Sequence, residues 1–333
     1  MTKKHQRKTE EAESESTSET SRKASKKQKT VVAPARHSEH LPSDASKFTE
    51  KDIVALNATF KPADEDEIIM PDVEVTDPPS QYLLPDIGRD VLEKQNFDIR
   101  MLNTTDKFVK QFFWSLNRVV VNSGLDIGTV ESKTDSLVNH LLTRALGFDG
   151  WPFGVRIKEN YKLAIDDKKV SASPDFVVDM GGITILVTED KHLKRVSLPD
   201  YGEAQILAEL LACGWENMNR SWSGKYIDQT IYAIRFISSY VTFYKAEIPK
   251  AYWKELRRGL PHKQSIEILR WPGENTKESG LDLAVAEDRD IIFEALTKLR
   301  EYFLSFDSST TTFTNASSST TSATAPAEQS SKS

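Results

Sequence analysis

The stretch SPDFVVDMGGITILVTEDKH, from Ser173 to His192, sets acids and a lysine at the ends of two apolar runs joined by Gly181-Gly182. Charges at the ends of buried strands are costly unless something compensates them. Asp175 and Glu189 offer the hard oxygen ligands that Mg2+ or Mn2+ prefers. Alternation along a strand puts Glu189 and Lys191 on one face. The lysine ammonium then stands beside such a metal, where it can position or deprotonate an attacking water. The chemistry this trio supports is metal-assisted attack by water. Pro-Asp alone carries no information, since it also occurs at Pro71-Asp72, Pro85-Asp86 and Pro199-Asp200. Only Asp175 is followed by strand, turn, strand and acid-x-lysine.

Register is the condition on this site. A two-residue Gly181-Gly182 turn with a regular ladder pairs Met180 with Ile183 and sets Asp175 opposite Thr188, facing away from Glu189. A three-residue loop or a bulge instead pairs Asp175 with Glu189. It gathers Val177, Ile185, Val187 and Lys191 on their face and leaves Phe176, Val178, Met180 and Leu186 on the other. We expect the loop or the bulge.

The elements that must hold these residues follow from periodicity. VESKTDSLVNHLLTRALGF, Val130 to Phe148, lines Leu137, Val138, Leu141, Leu142, Ala145 and Leu146 along one helical face. VRIKENYKLAI, VSASPDFVVDM and ITILVTEDKHL read as three strands, YGEAQILAELLACGWENM as a second helix, and TIYAIRFI, YVTFYKAEI and SIEILRW as further strands. DRDIIFEALTKLREYFLSF closes the series as a helix. No internal repeat is visible.

With a helix before the hairpin and a Gln-bearing helix after it, the motif resembles that of the PD-(D/E)xK nuclease superfamily, over about residues 130–248. The resemblance implies an α/β fold with a restriction-endonuclease-like core, a mixed central sheet flanked by helices. It implies Asp175 and Glu189 as metal ligands, Lys191 as the catalytic lysine and Mg2+ or Mn2+ as cofactor. Glu131, at the start of the first helix, corresponds to a further metal or water contact, its alternative being an acid that stabilises the helix dipole. Gln205 corresponds to a catalytic glutamine, its alternative being a half-buried residue. Exonuclease-like members pair that glutamine with a tyrosine four residues on; here the position holds Glu209, which points to an endonuclease.

The flanks read differently. Residues 46–125 form a helical N-terminal extension from FTEKDIVALNATF and TDKFVKQFFWSLNRVVVN, before the nuclease-like domain at 126–306. Phe108, Phe112, Phe113 and Trp114 read there as a docking face rather than a base-stacking platform. Residues 1–45, with basic clusters KKHQRK and RKASKKQK, and the Ser/Thr-rich 307–333 read as disordered tails. The clusters are open to reading as a nuclear-import signal, a phosphate-binding arm or a solubilising tail.

The 333 residues are 38% hydrophobic and 9% aromatic, enough for a sizeable core. A net charge of −6 excludes a globally basic nucleic-acid coat protein and leaves attraction to a local rim of Lys158, Lys162, Lys168, Lys169, Lys191, Lys194 and Arg195. KAEIPKAYWKELRRG reads as an amphipathic helix with a solvated basic side. The lone Cys213 reads as a buried apolar residue in a reducing compartment, and His192 and His140 as structural or surface residues. No apolar run is long enough to span a membrane, so an intracellular protein with no membrane partner is expected, its nuclear location left open. No phosphate loop or zinc-ligand spacing is present.

Nucleic acid, DNA before RNA, is the expected partner; a homodimer and a protein partner at the N-terminal helices stay open. The alternative to a metal-dependent nuclease is a catalytically inactive nuclease-like binding or effector module, of the kind seen in Crinkler-type effectors of fungi and oomycetes and in mobile elements. A role inside a host cell, or as a nuclear scaffold, stays open with it.

Overall fold

β-Branched and aromatic runs form ten strands in the computed structural model, which describes residues 38–75, 77–125, 130–191, 201–220, 225–276 and 278–315, without the side chains of 187, 189–191 and 307–315. The strands are β1 (Ala58–Pro62), β2 (Phe153–Ile157), β3 (Tyr161–Ile165), β4 (Lys168–Ala172), β5 (Phe176–Met180), β6 (Ile183–Lys191), β7 (Gln229–Ile237), β8 (Tyr240–Ile248), β9 (Ile266–Trp271) and β10 (Leu281–Asp282). The helices are α1 (Glu50–Ala55), α2 (Arg89–Leu92), α3 (Lys107–Gly124), α4 (Ser132–His140), α5 (Glu203–Arg220), α6 (Lys250–Leu256) and α7 (Ala286–Asn315). Among the described residues the fold is α/β, with a mixed eight-stranded sheet in the order β1-β9-β8-β7-β6-β5-β2, β10 beside β8, and a separate β3–β4 ribbon. β6 and β7 are parallel, joined through α5.

Alternation divides the sheet between two cores. One face carries Phe176, Val178, Leu186, Ile234 and Phe243 against Val109, Phe112, Leu137, Val138 and Phe293 of α3, α4 and α7. The other carries Val177, Ala233, Tyr244 and Ala246 against α5, Tyr252 and Trp253 of α6, and the β3–β4 ribbon. Gly214 lets α5 approach α6 closely, for a Cβ there would stand 2.7 Å from Trp253 Cζ2. The Pro-rich segment before α2 is held by Arg289 of α7, fully buried, whose guanidinium donates to the carbonyls of Leu83, Leu84 and Ile87 at 3.0–3.2 Å. Burial lowers that group's pKa to about 10.

Several boundaries differ from expectation. The N-terminal extension is not wholly helical: Asn57, at φ 51°, ends α1, and β1 then joins the sheet parallel to β9. Val109, Phe112 and Leu116 share a core with Phe176 and Leu186, so the cut at 125/126 marks no break in packing. Residues 38–45 are not a loose tail, because Leu41 and Ala45 are buried and Asp44 bridges to Ser171. At the other end α7 continues to Asn315, past the tail boundary expected at 307. The rest of both tails, with both basic clusters, lies outside the described residues.

Two of the expected strands are each two. VRIKENYKLAI divides into β2 and β3 because Lys158 takes φ 51°, and VSASPDFVVDM divides into β4 and β5 around Pro174. The aromatic cluster also divides. Phe112 and Phe113 are buried, whereas Phe108 and Trp114 are 39% and 41% exposed. Tyr252, Trp253 and Leu256 turn the apolar side of α6 inward and leave Lys254 outside, as its amphipathic pattern requires. Cys213 is fully buried and its thiol is pushed upward by desolvation, consistent with a packing role. Among the described residues, no helix is long and apolar enough to cross a membrane.

Candidate active site

The hairpin that carries the motif combines a two-residue turn with a bulge. Gly181 and Gly182 take φ of 60° and 85°, the doubly positive backbone that tight hairpins need and glycine adopts without strain. Met180 therefore pairs with Ile183, and Asp179 with Thr184. The ladder then slips: Val178 pairs with Leu186, Val177 with Val187 and Phe176 with Thr188. Ile185 is the extra residue. Phe176 with Thr188 is the last pair of this ladder; continued by one residue, the same register would bring Asp175 level with Glu189. Asp179 braces the turn, bonded to Arg156 Nε at 2.5 Å and to the Gly182 amide at 3.1 Å.

One face assignment is corrected by the same bulge. Ile185 was expected beside Val177, but it packs with Phe176, Val178 and Leu186. A bulge turns two successive residues toward one side, here Ile185 and Leu186. The position of Glu189 alternates with Leu186 and Thr188 and so falls on the α5 side of the sheet, whereas Asp175 lies in the bend just before β5, outside the ladder.

Asp175 is seated at the strand end with its side chain 16% exposed. Lys158 donates its backbone N–H to the Asp175 carbonyl at 3.1 Å and brings its Nζ within 3.6 Å of the carboxylate. The same Nζ lies 3.2 Å from Asp135 Oδ2 on α4. The left-handed backbone of Lys158 thus turns its chain back between two acids. Asp135 escaped the sequence reading, although it stands one helical turn beyond Glu131. Glu131 is the half-buried N-cap of α4, and no side-chain bond or ion pair of it is seen among the described residues.

The neighbouring strand supplies a cation that periodicity also missed. In the parallel β6–β7 ladder Glu189 pairs with Arg235 and Lys191 with Ile237. Arg235 is fully buried; its Nη1 donates to the Tyr201 carbonyl at 2.8 Å and to Asn275 Oδ1 at 2.9 Å. The signal for it was an arginine inside the apolar run TIYAIRFI, a burial that only a specific set of acceptors offsets. Gln205 is half-buried and donates to Glu209, four residues on and fully buried, at 2.8 Å. The glutamate in the tyrosine's place is therefore this glutamine's own acceptor.

The donor chemistry suits a hard divalent cation, since Asp175, Glu189, Asp135 and Glu131 all offer carboxylate oxygens. Among the residues whose side chains are described, no group of three His, Cys, Asp or Glu could hold a metal ion. Of the expected basic rim, Lys162 and Lys169 are exposed and Lys168 is half-buried. Lys194, Arg195 and His192 lie outside the described residues.

His140, at the end of α4, is 8% exposed among the rings of Tyr82, Phe108 and Phe112. Burial is the largest influence on it and lowers its pKa below the ordinary 6.5, against an opposing bond to the Phe108 backbone. The unfolded chain therefore takes up a proton that the folded chain resists, so stability present above this range is lost as pH falls. The urea midpoint is expected to drop between about pH 7.5 and about pH 5.5, and His140→Phe to flatten that drop. Equal slopes in the two proteins would refute the assignment.

No protein-family model matches the chain, and no curated protein matches it in sequence.

Proposed function

We propose that this chain is a metal-dependent phosphodiesterase with a restriction-endonuclease-like core, cutting DNA in preference to RNA from within the strand. The observation that carries the reading is the bulge at Ile185, without which Asp175 would oppose Thr188. Further support comes from the flanking helices, α4 packing on one side of the hairpin and the Gln-bearing α5 on the other.

Asp175 and Glu189 are the residues we assign to the cation, with Asp135 or Glu131 as a third oxygen donor. Bound there, Mg2+ would offset the charge on the phosphate oxygens during in-line attack. Lys191, two residues beyond Glu189 on the same strand, is assigned to hold or accept a proton of the attacking water. Arg235 braces β7 beside Glu189 and ties it to Tyr201, just before α5.

The deciding experiment incubates the full chain with plasmid, linear and single-stranded DNA and with RNA, in Mg2+ or Mn2+, beside a Lys191→Ala control. Internal cleavage of plasmid DNA that the control lacks is the expected result. If none of the substrates is cut, the hydrolytic reading fails and a nuclease-like binding or effector module takes its place.

A further inference from the structure

The outer surface of α3 and α4 carries rings that the core does not use. Phe108 and Trp114 are 39% and 41% exposed, and Trp151, beyond the turn that follows α4, is 88% exposed. The first two have cations over their faces. Arg118 Cζ stands 4.5 Å from the Trp114 centroid, while Lys107 Nζ and Arg144 Cζ stand 5.0 and 5.8 Å from that of Phe108. Such pairs are worth little at exposed sites, so protein stability alone gives small reason to display the rings.

Between the two helices Gln111, Trp114, Asn139, His140, Thr143 and Arg144 help line a cavity of about 430 Å3. Its walls bring together an aromatic ring, two carboxamides, a hydroxyl and a guanidinium. Among the described residues the buried Nε2 of His140 has no hydrogen-bond partner. α4 passes into a π-helical turn at Leu141–Ala145, a local widening found often at functional sites. One acid, Asp149, also lines the cavity and lies 3.7 Å from Arg144.

The cavity is next to the candidate active site. Ser136 lines it, and the preceding residue, Asp135, meets Lys158, which reaches Asp175. Four residues of α4, about 6 Å of rise, separate Asp135 from Asn139.

We propose that this cavity seats one unpaired base of a nucleic-acid strand, a nucleotide or so away from the phosphate held at Asp175. Trp114 stacks on the base, Asn139 and Gln111 meet its edge, and Arg144 and Arg118 face the flanking phosphates. Aromatic faces interleaved with cations are the means by which proteins hold single strands. A base within a duplex has both faces covered by its neighbours, which is why an unpaired one is specified. A protein segment would be favoured by apolar walls, whereas amides, hydroxyls and charges line this one. The position relative to cleavage rests on the phosphodiesterase reading; the binding itself does not.

Fluorescence anisotropy with the full chain in EDTA tests this directly. The probes are a labelled single-stranded oligodeoxynucleotide, a fully abasic strand of the same length, and the matching duplex. The wild-type protein should bind the intact single strand on the order of tenfold more tightly than the abasic one. Trp114→Ala should lose that difference by weakening the intact strand alone, and Trp114→Phe should restore most of it. Since Trp114 is partly exposed, the alanine variant is expected to fold, which its unfolding curve will verify. The inference is overturned if the wild-type protein does not distinguish intact from abasic strands, if Trp114→Ala weakens both equally, or if the duplex binds as tightly as the single strand. Base discrimination with no cleavage in Mg2+ would sink the hydrolytic reading and uphold the pocket. Cleavage with unchanged discrimination in Trp114→Ala would do the reverse.

Discussion

The Asp175→Ala protein is expected to fold normally and to cleave DNA on the order of a thousandfold more slowly than the wild type. Continued one residue, the register after the Ile185 bulge brings Asp175 level with Glu189, so losing this carboxylate removes half of the proposed first pair of oxygen ligands. The stability cost should be small. Lys158, the cation seen at 3.6 Å, is 56% exposed and keeps Asp135 at 3.2 Å. Pairs that exposed contribute up to about 1 kcal/mol before screening. A turn acid at a solvated strand end predicts the opposite combination, undiminished cleavage with a similarly small stability change. Plasmid-nicking rates measured beside urea unfolding separate the two, and wild-type cleavage by Asp175→Ala would end the case for this site.

What the sequence made legible here was periodicity and local constraint. α3, α4, α5 and α7 follow apolar residues at three- and four-residue spacing, and β7 and β8 follow runs rich in β-branched and aromatic residues. The bulge was legible because the alternative register separates Asp175 from Glu189, though which residue would bulge was not. A short turn followed by a slip at Ile185 differs from a longer loop only by where the extra residue goes. The β1–β9 pairing was not legible, because it joins Ala58 to Ile266 and Pro62 to Arg270 across most of the chain. Nor does any local pattern say that Asp135 meets Lys158, since that contact depends on a left-handed backbone at a lysine. Arg235 and Arg270 were visible as charges within apolar strands, but their acceptors come from distant loops and from the start of α5.

The buried ion pair of Arg270 with Glu203 carries a large expected stability effect. Arg270 of β9 donates from Nη1 to Glu203 Oε1 at 2.5 Å, and from Nε and Nη2 to the Gly273 carbonyl at 3.0 and 2.7 Å. The two side chains are only 10% and 7% exposed, so solvent does little to screen them. Removing one member of such a buried pair leaves the other charge desolvated, a loss of about 3–5 kcal/mol. Arg270→Met is therefore expected to lower unfolding free energy by about that amount. Adding Glu203→Leu should return most of the loss, because two apolar side chains of similar bulk can replace a buried ion pair with little net cost. Glu203 is the first residue of α5, two positions from Gln205 and two from Tyr201, whose carbonyl Arg235 holds. The ion pair thus ties the start of α5 to β9 on the side of the sheet where the position of Glu189 falls. In the double variant, restored stability with slowed cleavage would mean that the pair sets the position of α5 as well as holding it. Urea unfolding of the four proteins in the cycle gives the coupling, and additive losses would show that Arg270 and Glu203 do not act as a unit.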